Sequence, residues 1–541
     1  MFTRSQVEAL QTTLEADLLL FLPELVVCCG IVLLLFARLL KAFDRAHLGG
    51  FAIAILGAAI FAAAWQFTDP RGGGNAREAA YFGRMLVADT FAAFAHVLLL
   101  VAALLTVLLT RLTGIPDRLD SGDFYTLLLG GTLGMMLMAS ANHLLMVFIA
   151  VEMASLPSYA LAGFLKGKRR GSEAALKYVV FGAGASGIML YGISLLAGTF
   201  GTGYLPDLAA ATAQRLTAHH GFDPLLLTGT TLLFVGLGFK LAAVPFHFWC
   251  PDVFEGAAAE VAGFLSVASK AAAVTLTIRL VFVLQSATHP NYASSVGTAF
   301  LLPGSLGLGI GIIGALTVTF GNLAAFGQTN LKRLLAYSTI AHAGYMLLGV
   351  AVVTPAAASA VLYYLVAYLV MNLGAFAVVA LVRNATGSEE LSAFRGLVWR
   401  SPVFAITMAL FLFSLLGFPP LAGFAGKFQV FAAVYQAGSA ATAAGRPDLG
   451  TAFYIFLAVG AINTAISAYY YLRIVREMLL ESDPNPTGPE SRNDSTAGVY
   501  LTLLAAGLVA FGVVWNPLTS AAERAVGSLG VSSSMHIANT E

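Results

Sequence analysis

The chain is dominated by long apolar runs, each separated from the next by a short polar segment. About 20 mostly apolar residues are enough to cross the hydrocarbon core of a bilayer as an α-helix. Applied along the chain, this rule predicts an all-α integral membrane protein with 14 transmembrane helices. The predicted spans are 18–40, 48–67, 88–110, 124–141, 143–165, 174–200, 225–249, 256–284, 300–322, 334–354, 357–382, 402–437, 451–472 and 497–516.

Composition excludes several other classes of protein. Only 11% of the residues are charged, against about 25% in a soluble domain. The net charge of +1 leaves no basic surface for nucleic acid. Cys28, Cys29 and Cys250 match no metal or redox spacing, and no glycine-rich nucleotide loop is present. The first apolar run is too long for a signal peptide and lacks a basic leader, so we interpret it as a retained span.

Lysine and arginine are unevenly distributed between the two sides of the predicted bundle. If the N-terminus lies outside, the inner loops hold 17 of these residues and the outer segments hold seven. Cytoplasmic loops of membrane proteins carry such an excess. The sequence therefore predicts that both termini face outward. Chain length and the many alanines favour a bacterial inner membrane, which places the termini in the periplasm.

Two proline-interrupted spans suggest an internal duplication. The segment FKLAAVPFHFWCPDVFEG has a later counterpart, LGFPPLAGFAGKFQVF, in which Pro419 and Pro420 should break the helix. The two segments lie five spans apart, and an odd offset gives the copies opposite orientations across the membrane. Paired interrupted helices in inverted halves are typical of many transporters.

Charged and titratable residues inside the apolar runs are the candidate functional residues, because each costs about 2.5–3.5 kcal/mol to insert. Glu152 lies in the middle of a span with no cation within a helical turn. Lys240 and His247 are two turns apart, and Pro245 and Pro251 flank the histidine. A kink there leaves backbone groups for water or polar side chains to satisfy. The six mid-span candidates are Glu152, Lys240, His247, Lys270, His342 and Lys427.

Proton transfer explains this series better than static ion pairing, because one clear acid accompanies three lysines. A buried lysine is destabilised in its charged form and can load and release a proton as its partner moves. Structural alternatives stay open, namely an ion pair for Glu152 and a hydrogen-bonded structural role for His247. Lys177 is either a further proton carrier or a residue that snorkels to the interface.

Other charged residues near the spans receive different interpretations. Arg279 lies near a span end and is expected to anchor it at the interface. Lys332 and Arg333 are expected to face the inner surface and to fix topology. Glu24, which follows a proline in the first span, is assigned no role.

Four long segments carry a family resemblance. FKLAAVPFHFWCPDVFEGA, NLKRLLAYSTIAHAGYMLLG, SLLGFPPLAGFAGKF and EMASLPSYALAGF resemble the antiporter-like membrane subunits of respiratory complex I, and most of all the subunit N group, whose mitochondrial counterpart is subunit 2. The resemblance extends from about residue 15 to residue 515.

The resemblance implies a fold of 14 helices with two inverted five-helix repeats, helices 4–8 and 9–13, in which helices 7 and 12 are broken. The corresponding regions are 1–120 for helices 1–3, 121–285 for the first repeat, 296–480 for the second, and 481–541 for a loop, helix 14 and the C-terminal tail.

The resemblance also implies roles and partners. Glu152 and Lys240 would form a pair whose separation changes the pKa of Lys240 and pushes a proton toward Lys427. Lys270 matches the central lysine of the eighth helix, and Lys177 and His247 match further polar positions. The chain would be a translocase subunit of NADH-quinone oxidoreductase with no cofactor of its own. NAD, FMN, iron–sulfur clusters and ubiquinone or another quinone would bind elsewhere in the respiratory chain complex. Neighbouring subunits M, K and J and the lipid bilayer would be its partners.

Two other classes of function compete with this one. A subunit of a multisubunit cation/proton antiporter would share the same core, although no long lateral helix is expected after residue 516. In a purely structural membrane scaffold the buried lysines would be paired and inert.

Overall fold

The helices of the computed structural model follow the predicted apolar runs. The structure describes residues 13–40, 46–68, 79–117, 119–165, 167–218, 223–286, 305–482 and 495–538. The predicted repeat boundary at 296 lies outside these residues. So do some of the cations counted for orientation, namely Arg4, Lys41, Arg45, Arg71, Arg77, Arg118, Lys166 and Arg492.

Three helices and a small hairpin form the N-terminal unit: α1 (Leu22–Leu39), α2 (Gly49–Thr68), β1 (Ala79–Tyr81), β2 (Leu86–Ala88) and α3 (Thr90–Thr113). The two strands pair in antiparallel register, with Ala80 opposite Val87. Helix α3 begins where the Asp89 carboxylate accepts a 2.7 Å hydrogen bond from the Ala92 amide. It ends at Gly114, whose φ of 75° favours glycine.

The next elements lead to a broken helix. They are α4 (Ser121–Ser140), α5 (Leu144–Ala162), α6 (Arg169–Phe200), α7 (Leu205–Ala218), α8 (Pro224–Leu241), α9 (Trp249–Gly256), α10 (Ala259–Phe264), a π-helical turn (Leu265–Ser269) and α11 (Lys270–Ser286). Helix α8 stops at Ala242, which has a φ of 52°. The interruption before α9 contains Pro245, which lacks an amide donor and cannot continue a helix.

The second part of the bundle contains a second broken helix. Its elements are α12 (Ser305–Ala325), α13 (Leu331–Val350), α14 (Pro355–Thr386), a 3₁₀ turn (Leu391–Phe394), α15 (Leu397–Arg400), α16 (Pro402–Leu416), α17 (Ala422–Ala443), α18 (Pro447–Leu479), α19 (Ser495–Val513) and α20 (Asn516–Ala538). The predicted span 402–437 is therefore divided into α16 and α17 around Pro419 and Pro420. The prediction that both proline-interrupted spans are broken is confirmed.

Burial distinguishes central helices from peripheral helices whose apolar faces are exposed. Within the most apolar window of α14, 94% of the residues are buried, and the figure for the segment from α10 to α11 is 89%. For α1 and α2 it is 28%. A helix that is apolar and buried on all sides occupies the centre of a bundle. The candidate Lys270, at the start of α11, is therefore held in the middle of the protein.

Eleven helices in the described part of the chain are long and apolar enough to cross a membrane. The prediction of an all-α, multi-pass membrane protein is confirmed. The count of 14 spans stays a prediction. Helices α4, α13 and the α16–α17 pair lie in predicted spans but are not among the eleven.

The C-terminal segment forms a helix that packs against the bundle. Helix α20 packs against α3 and α14, and the Thr90 hydroxyl donates a 3.2 Å hydrogen bond to the Arg524 carbonyl. The Phe91 amide donates to the Ser528 hydroxyl at 3.2 Å. The region predicted as a tail after helix 14 therefore contains a 23-residue helix that folds back on the body of the protein.

Asp223 caps the start of α8 and stabilises the first turn of that helix. Its carboxylate accepts from the amides of Leu225 and Leu226 at 2.8 and 3.2 Å and pairs with Arg215. Burial raises the pKa of Asp223, but the ion pair and the amide hydrogen bonds outweigh burial and hold this pKa below its ordinary value. The stabilisation is thus complete above pH ~4 and is lost as the pH falls through the lowered pKa.

We expect Asp223→Ala to destabilise the start of α8 by about 1 kcal/mol, because the cap is lost. Asp223→Asn is the matched control, since asparagine caps equally well. Hydrogen exchange at Leu225 and Leu226 in the solubilised protein measures the effect. Equal protection in wild type and Asp223→Ala would contradict the capping role.

Candidate functional site

Glu152 lies on α5 and is partly buried. Its carboxylate accepts a short hydrogen bond from the Ser186 hydroxyl of the neighbouring helix α6. Ser186 was not predicted, because a serine in an apolar run carries no signal of its partner. Among the described residues, the carboxylate is thus held by a neutral donor and not by a cation.

Lys240 occupies the last turn of α8 and is 1% exposed. Its ammonium nitrogen forms no hydrogen bond with any described residue. Glu152 is its electrostatic partner, yet no ion pair within 4.0 Å joins the two side chains in this structure. A buried ammonium with no hydrogen bond and no carboxylate in contact is costly, and deprotonation is the usual way that a protein removes the cost.

The end of α8 exposes carbonyl groups that a continuous helix would pair. The Lys270 ammonium donates a 2.6 Å hydrogen bond to the Leu241 carbonyl, and the Trp249 indole donates to the Phe239 carbonyl at 3.0 Å. Lys270 therefore binds a backbone carbonyl that the break leaves free. This agrees with the prediction that polar side chains satisfy the backbone groups freed at the kink.

A π-helical turn immediately precedes Lys270. Such turns often occur at functional sites because they realign the residues that follow. Within this turn the Ser266 hydroxyl accepts a 2.6 Å hydrogen bond from the Asn372 amide of α14. Neither feature was predicted, since the local sequence LSVAS is compatible with an ordinary helix.

His247 lies inside the break, between the rings of Phe248 and Phe320 at 4.3 and 4.2 Å. It is buried, and neither ring nitrogen makes a hydrogen bond of normal geometry with the described residues. The predicted structural role through hydrogen bonding is therefore not observed. Its proton-transfer role stays a prediction.

Lys427 closes the second break. Its ammonium donates to the Leu415 and Leu416 carbonyls at 2.9 and 3.1 Å, which are the last carbonyls of α16. The same nitrogen lies 4.4 Å from the centre of the Tyr345 ring. Each of the two broken helices thus has one buried lysine bound to its free carbonyls.

His342 is the centre of a hydrogen-bonded network beside Lys427. Its Nδ1 is 2.6 Å from the Tyr364 hydroxyl and its Nε2 is 3.1 Å from the Tyr471 hydroxyl. The Tyr471 hydroxyl is 2.5 Å from that of Ser338. Hydroxyl groups and imidazole can pass a proton along such a chain because each donates and accepts. The tyrosines were not predicted.

Tyr368 is a further aromatic neighbour of His342. Its ring lies 5.2 Å from the His342 ring, and its hydroxyl has no partner among the described residues. For the proposal below, the candidates are divided into a first group, Glu152, Lys240 and Lys270, and a second group, His342 and Lys427.

Lys177 lies apart from these groups. Its ammonium bridges Asp252 at 2.7 Å and Glu173 at 2.9 Å, and it is about one-third exposed. Arg333 joins the same network through Asp252 at 2.6 Å and Glu255 at 2.9 Å. These side chains line a polar cavity of about 170 Å³. Lys177 is therefore held by two carboxylates, which a lysine that only snorkels to the membrane interface does not need.

Two cations occupy sites that differ from their predicted positions. Arg279 is 3% exposed and forms a bidentate ion pair with Asp89, so its prediction as an interfacial anchor is wrong. Lys332 is also 3% exposed and pairs with Glu389 at 2.9 Å, so it does not face the inner surface. Within the described residues, no group of three or more His, Cys, Asp or Glu could hold a metal ion.

A broken-helix bundle with buried lysines at both breaks defines a membrane protein of the antiporter-like class. The family model described as NADH:quinone oxidoreductase/Mrp antiporter, transmembrane, matches residues 141–445. NADH-quinone oxidoreductase subunit N of Anaeromyxobacter sp. strain Fw109-5 is 42% identical over 92% of this chain and 94% of its own length. The chain belongs to the NADH-quinone oxidoreductase subunit N family.

Solved structures agree with this assignment. A chain of respiratory complex I from Thermus thermophilus is 30% identical, superposes with a TM-score of 0.71, and is matched over 92% of this chain and 98% of its own. A chain of the Mrp complex from Dietzia sp. DQ12-45-1b gives a TM-score of 0.75 over 95% of this chain and 98% of its own, at 20% identity. The second similarity concerns the fold alone.

Proposed function

We propose that this chain is a proton-translocating membrane subunit of respiratory complex I, which couples NADH-to-quinone electron transfer to proton movement. The lysine series, meaning Lys240, Lys270 and Lys427, carries the proposal. All three ammonium groups are buried, and each contacts either a freed carbonyl or no partner among the described residues. A buried lysine with no carboxylate in contact is poised between its charged and neutral forms.

The proposed path begins at the Glu152–Lys240 pair and passes through Lys270 to Lys427. His247, which lies inside the break of α8, takes part in proton transfer within the first group. His342 and its tyrosines relay between the groups, since His342 and Tyr368 lie in ring contact. Lys177 belongs at the entrance, where its ion pairs line the polar cavity. Movement of Glu152 toward or away from Lys240 changes the charge balance at Lys240 and drives the proton onward.

The proposed organisation is that of two inverted repeats, 121–285 and 296–480, after an N-terminal three-helix unit. The matching breaks at α8–α9 and α16–α17, each closed by one lysine, support this division. We place the chain in the bacterial inner membrane with both termini in the periplasm. The chain takes its place beside the antiporter-like subunit M and the small subunits K and J. NAD, FMN, iron–sulfur clusters and quinone bind in other subunits.

Deletion of the gene in a bacterium that carries it tests this function. We expect inverted membrane vesicles from the deletion strain to lose NADH-driven acidification, and the intact gene to restore it. Sodium-driven proton antiport in the same vesicles should be unchanged. Loss of antiport with normal NADH-driven acidification would instead support the alternative, a subunit of a multisubunit cation/proton antiporter.

A further inference from the structure

A buried carboxylic acid and a buried histidine face each other in the N-terminal unit, outside the region that the family model matches. Glu24 lies in the first turn of α1 and is 0% exposed. His96 lies on α3 and is 3% exposed. The distance from His96 Nε2 to Glu24 Oε1 is 3.5 Å. The path of the lysine series does not use either residue.

The hydrogen bonds of His96 indicate where its proton resides. Its Nε2 lies 3.1 Å from the Met136 carbonyl and 3.0 Å from the Ser140 hydroxyl. A carbonyl only accepts, so Nε2 carries a hydrogen. The other ring nitrogen has no partner among the described residues, and neither oxygen of Glu24 makes a hydrogen bond of normal geometry. A neutral imidazole satisfies these contacts.

The surrounding elements supply little compensating charge. Helix α2, which packs on α1, contains no Asp, Glu, Lys, Arg or His. Helix α4 brings Asp123, which is more than three turns from Met136 along the helix and pairs with Arg38. The hairpin brings Tyr81 and Arg84, and Arg84 pairs with Asp207 at 2.9 Å. On α1 itself the nearest titratable group is the Cys28 thiol.

The cations on the other described elements that pack against α3 are engaged elsewhere or exposed: Lys270 donates to the Leu241 carbonyl, Arg383 pairs with Glu260, and Arg524 is exposed. Arg279 of α11 binds Asp89, just before α3, through two hydrogen bonds of 2.7 and 2.9 Å. An ionised Glu24 beside a neutral His96 would therefore be an uncompensated charge in the protein interior, which is strongly unfavourable. Each arrangement that avoids this cost, either a protonated Glu24 or a carboxylate facing an imidazolium, contains one additional proton.

We propose that Glu24 and His96 form a proton-binding site that holds one proton in common, with the proton on the Glu24 carboxyl group at neutral pH. The site takes a proton and nothing larger, because Glu24 and His96 are both buried inside the protein. It is separate from the lysine series and does not depend on the function proposed for that series.

Infrared difference spectroscopy of the purified complex tests this site, because a protonated carboxyl group absorbs separately from a carboxylate. We expect Glu24→Gln to remove one protonated-carboxyl band completely. Glu260→Gln is the matched control, since Glu260 is also fully buried but pairs with Arg383 at 2.9 Å. That variant should retain the band. An unchanged band in Glu24→Gln would show that Glu24 is ionised and would overturn the proposal.

A second variant keeps the test available if Glu24→Gln fails to assemble. In His96→Phe the carboxylate–imidazolium form cannot exist, so the proton of the site can lie only on Glu24. We expect this variant to keep the protonated-carboxyl band at neutral pH, and Glu24→Asp, which keeps a carboxyl group on α1, to shift that band. A band lost in His96→Phe or unshifted in Glu24→Asp would also overturn the proposal.

Discussion

Lys427→Met is expected to lower NADH-driven proton translocation by about tenfold or more, since a positioned proton-transfer group contributes about 10²–10⁴-fold to a rate. The substitution removes the only described ammonium group bound to the Leu415 and Leu416 carbonyls at the break of α16. Acidification of inverted vesicles, normalised to assembled complex, measures the effect.

Lys427→Arg separates proton transfer from a structural role. Arginine keeps the positive charge and the donors that bind the two carbonyls, but it does not release a proton in proteins. We expect this variant to be as defective in pumping as Lys427→Met. Phe428→Leu, at the next position, is the matched control because that side chain is largely exposed. Normal pumping by Lys427→Arg would mean that Lys427 only holds the break together.

Arg279→Met is expected to destabilise the protein by about 3–5 kcal/mol, because it leaves the Asp89 carboxylate buried and unpaired. Arg279 donates to both carboxylate oxygens of Asp89 and, at 2.7 Å, to the Ala139 carbonyl. The ion pair thereby ties α11 to the start of α3 and the end of α4. Thermal denaturation of the complex in membranes, together with its steady-state level, measures the loss.

The double variant Asp89→Asn, Arg279→Met is the control for this prediction. Asparagine removes the buried charge and still caps α3, so much of the lost stability should return. Non-additive recovery of this kind is the expected behaviour of contacting residues. If the double variant were no more stable than Arg279→Met, the unpaired charge would not be the cause of the loss.

The sequence predicted the breaks in both helices and the buried positions of the lysines well. Both follow from local chemistry. A proline lacks an amide donor and favours interruption of a helix, as at Pro245, Pro419 and Pro420, and a lysine within an apolar run is buried with that run when the bundle forms. What the lysines contact could not be predicted. Leu241 is 29 residues from Lys270 in the chain, and its carbonyl becomes an acceptor only after the bundle has formed.

The partners of His342 and the positions of Arg279 and Lys332 show a second limit. Tyr364 and Tyr471 lie in apolar runs, where tyrosine usually packs as a hydrophobic residue, so nothing local marks them as hydrogen-bond partners. Cations near the ends of spans usually face the membrane interface. Arg279 and Lys332 are exceptions because Asp89 and Glu389, from distant parts of the chain, reach them inside the protein.

NADH-driven acidification of inverted membrane vesicles, recorded together with NADH oxidation, tests the central claim most directly. Wild type is compared with Lys240→Ala and Glu152→Gln, with the amount of assembled complex quantified. We predict that both variants lose proton translocation together with coupled NADH–quinone turnover while the complex stays assembled. Unchanged acidification in both variants would contradict proton transfer by this pair and would leave the chain a scaffold role.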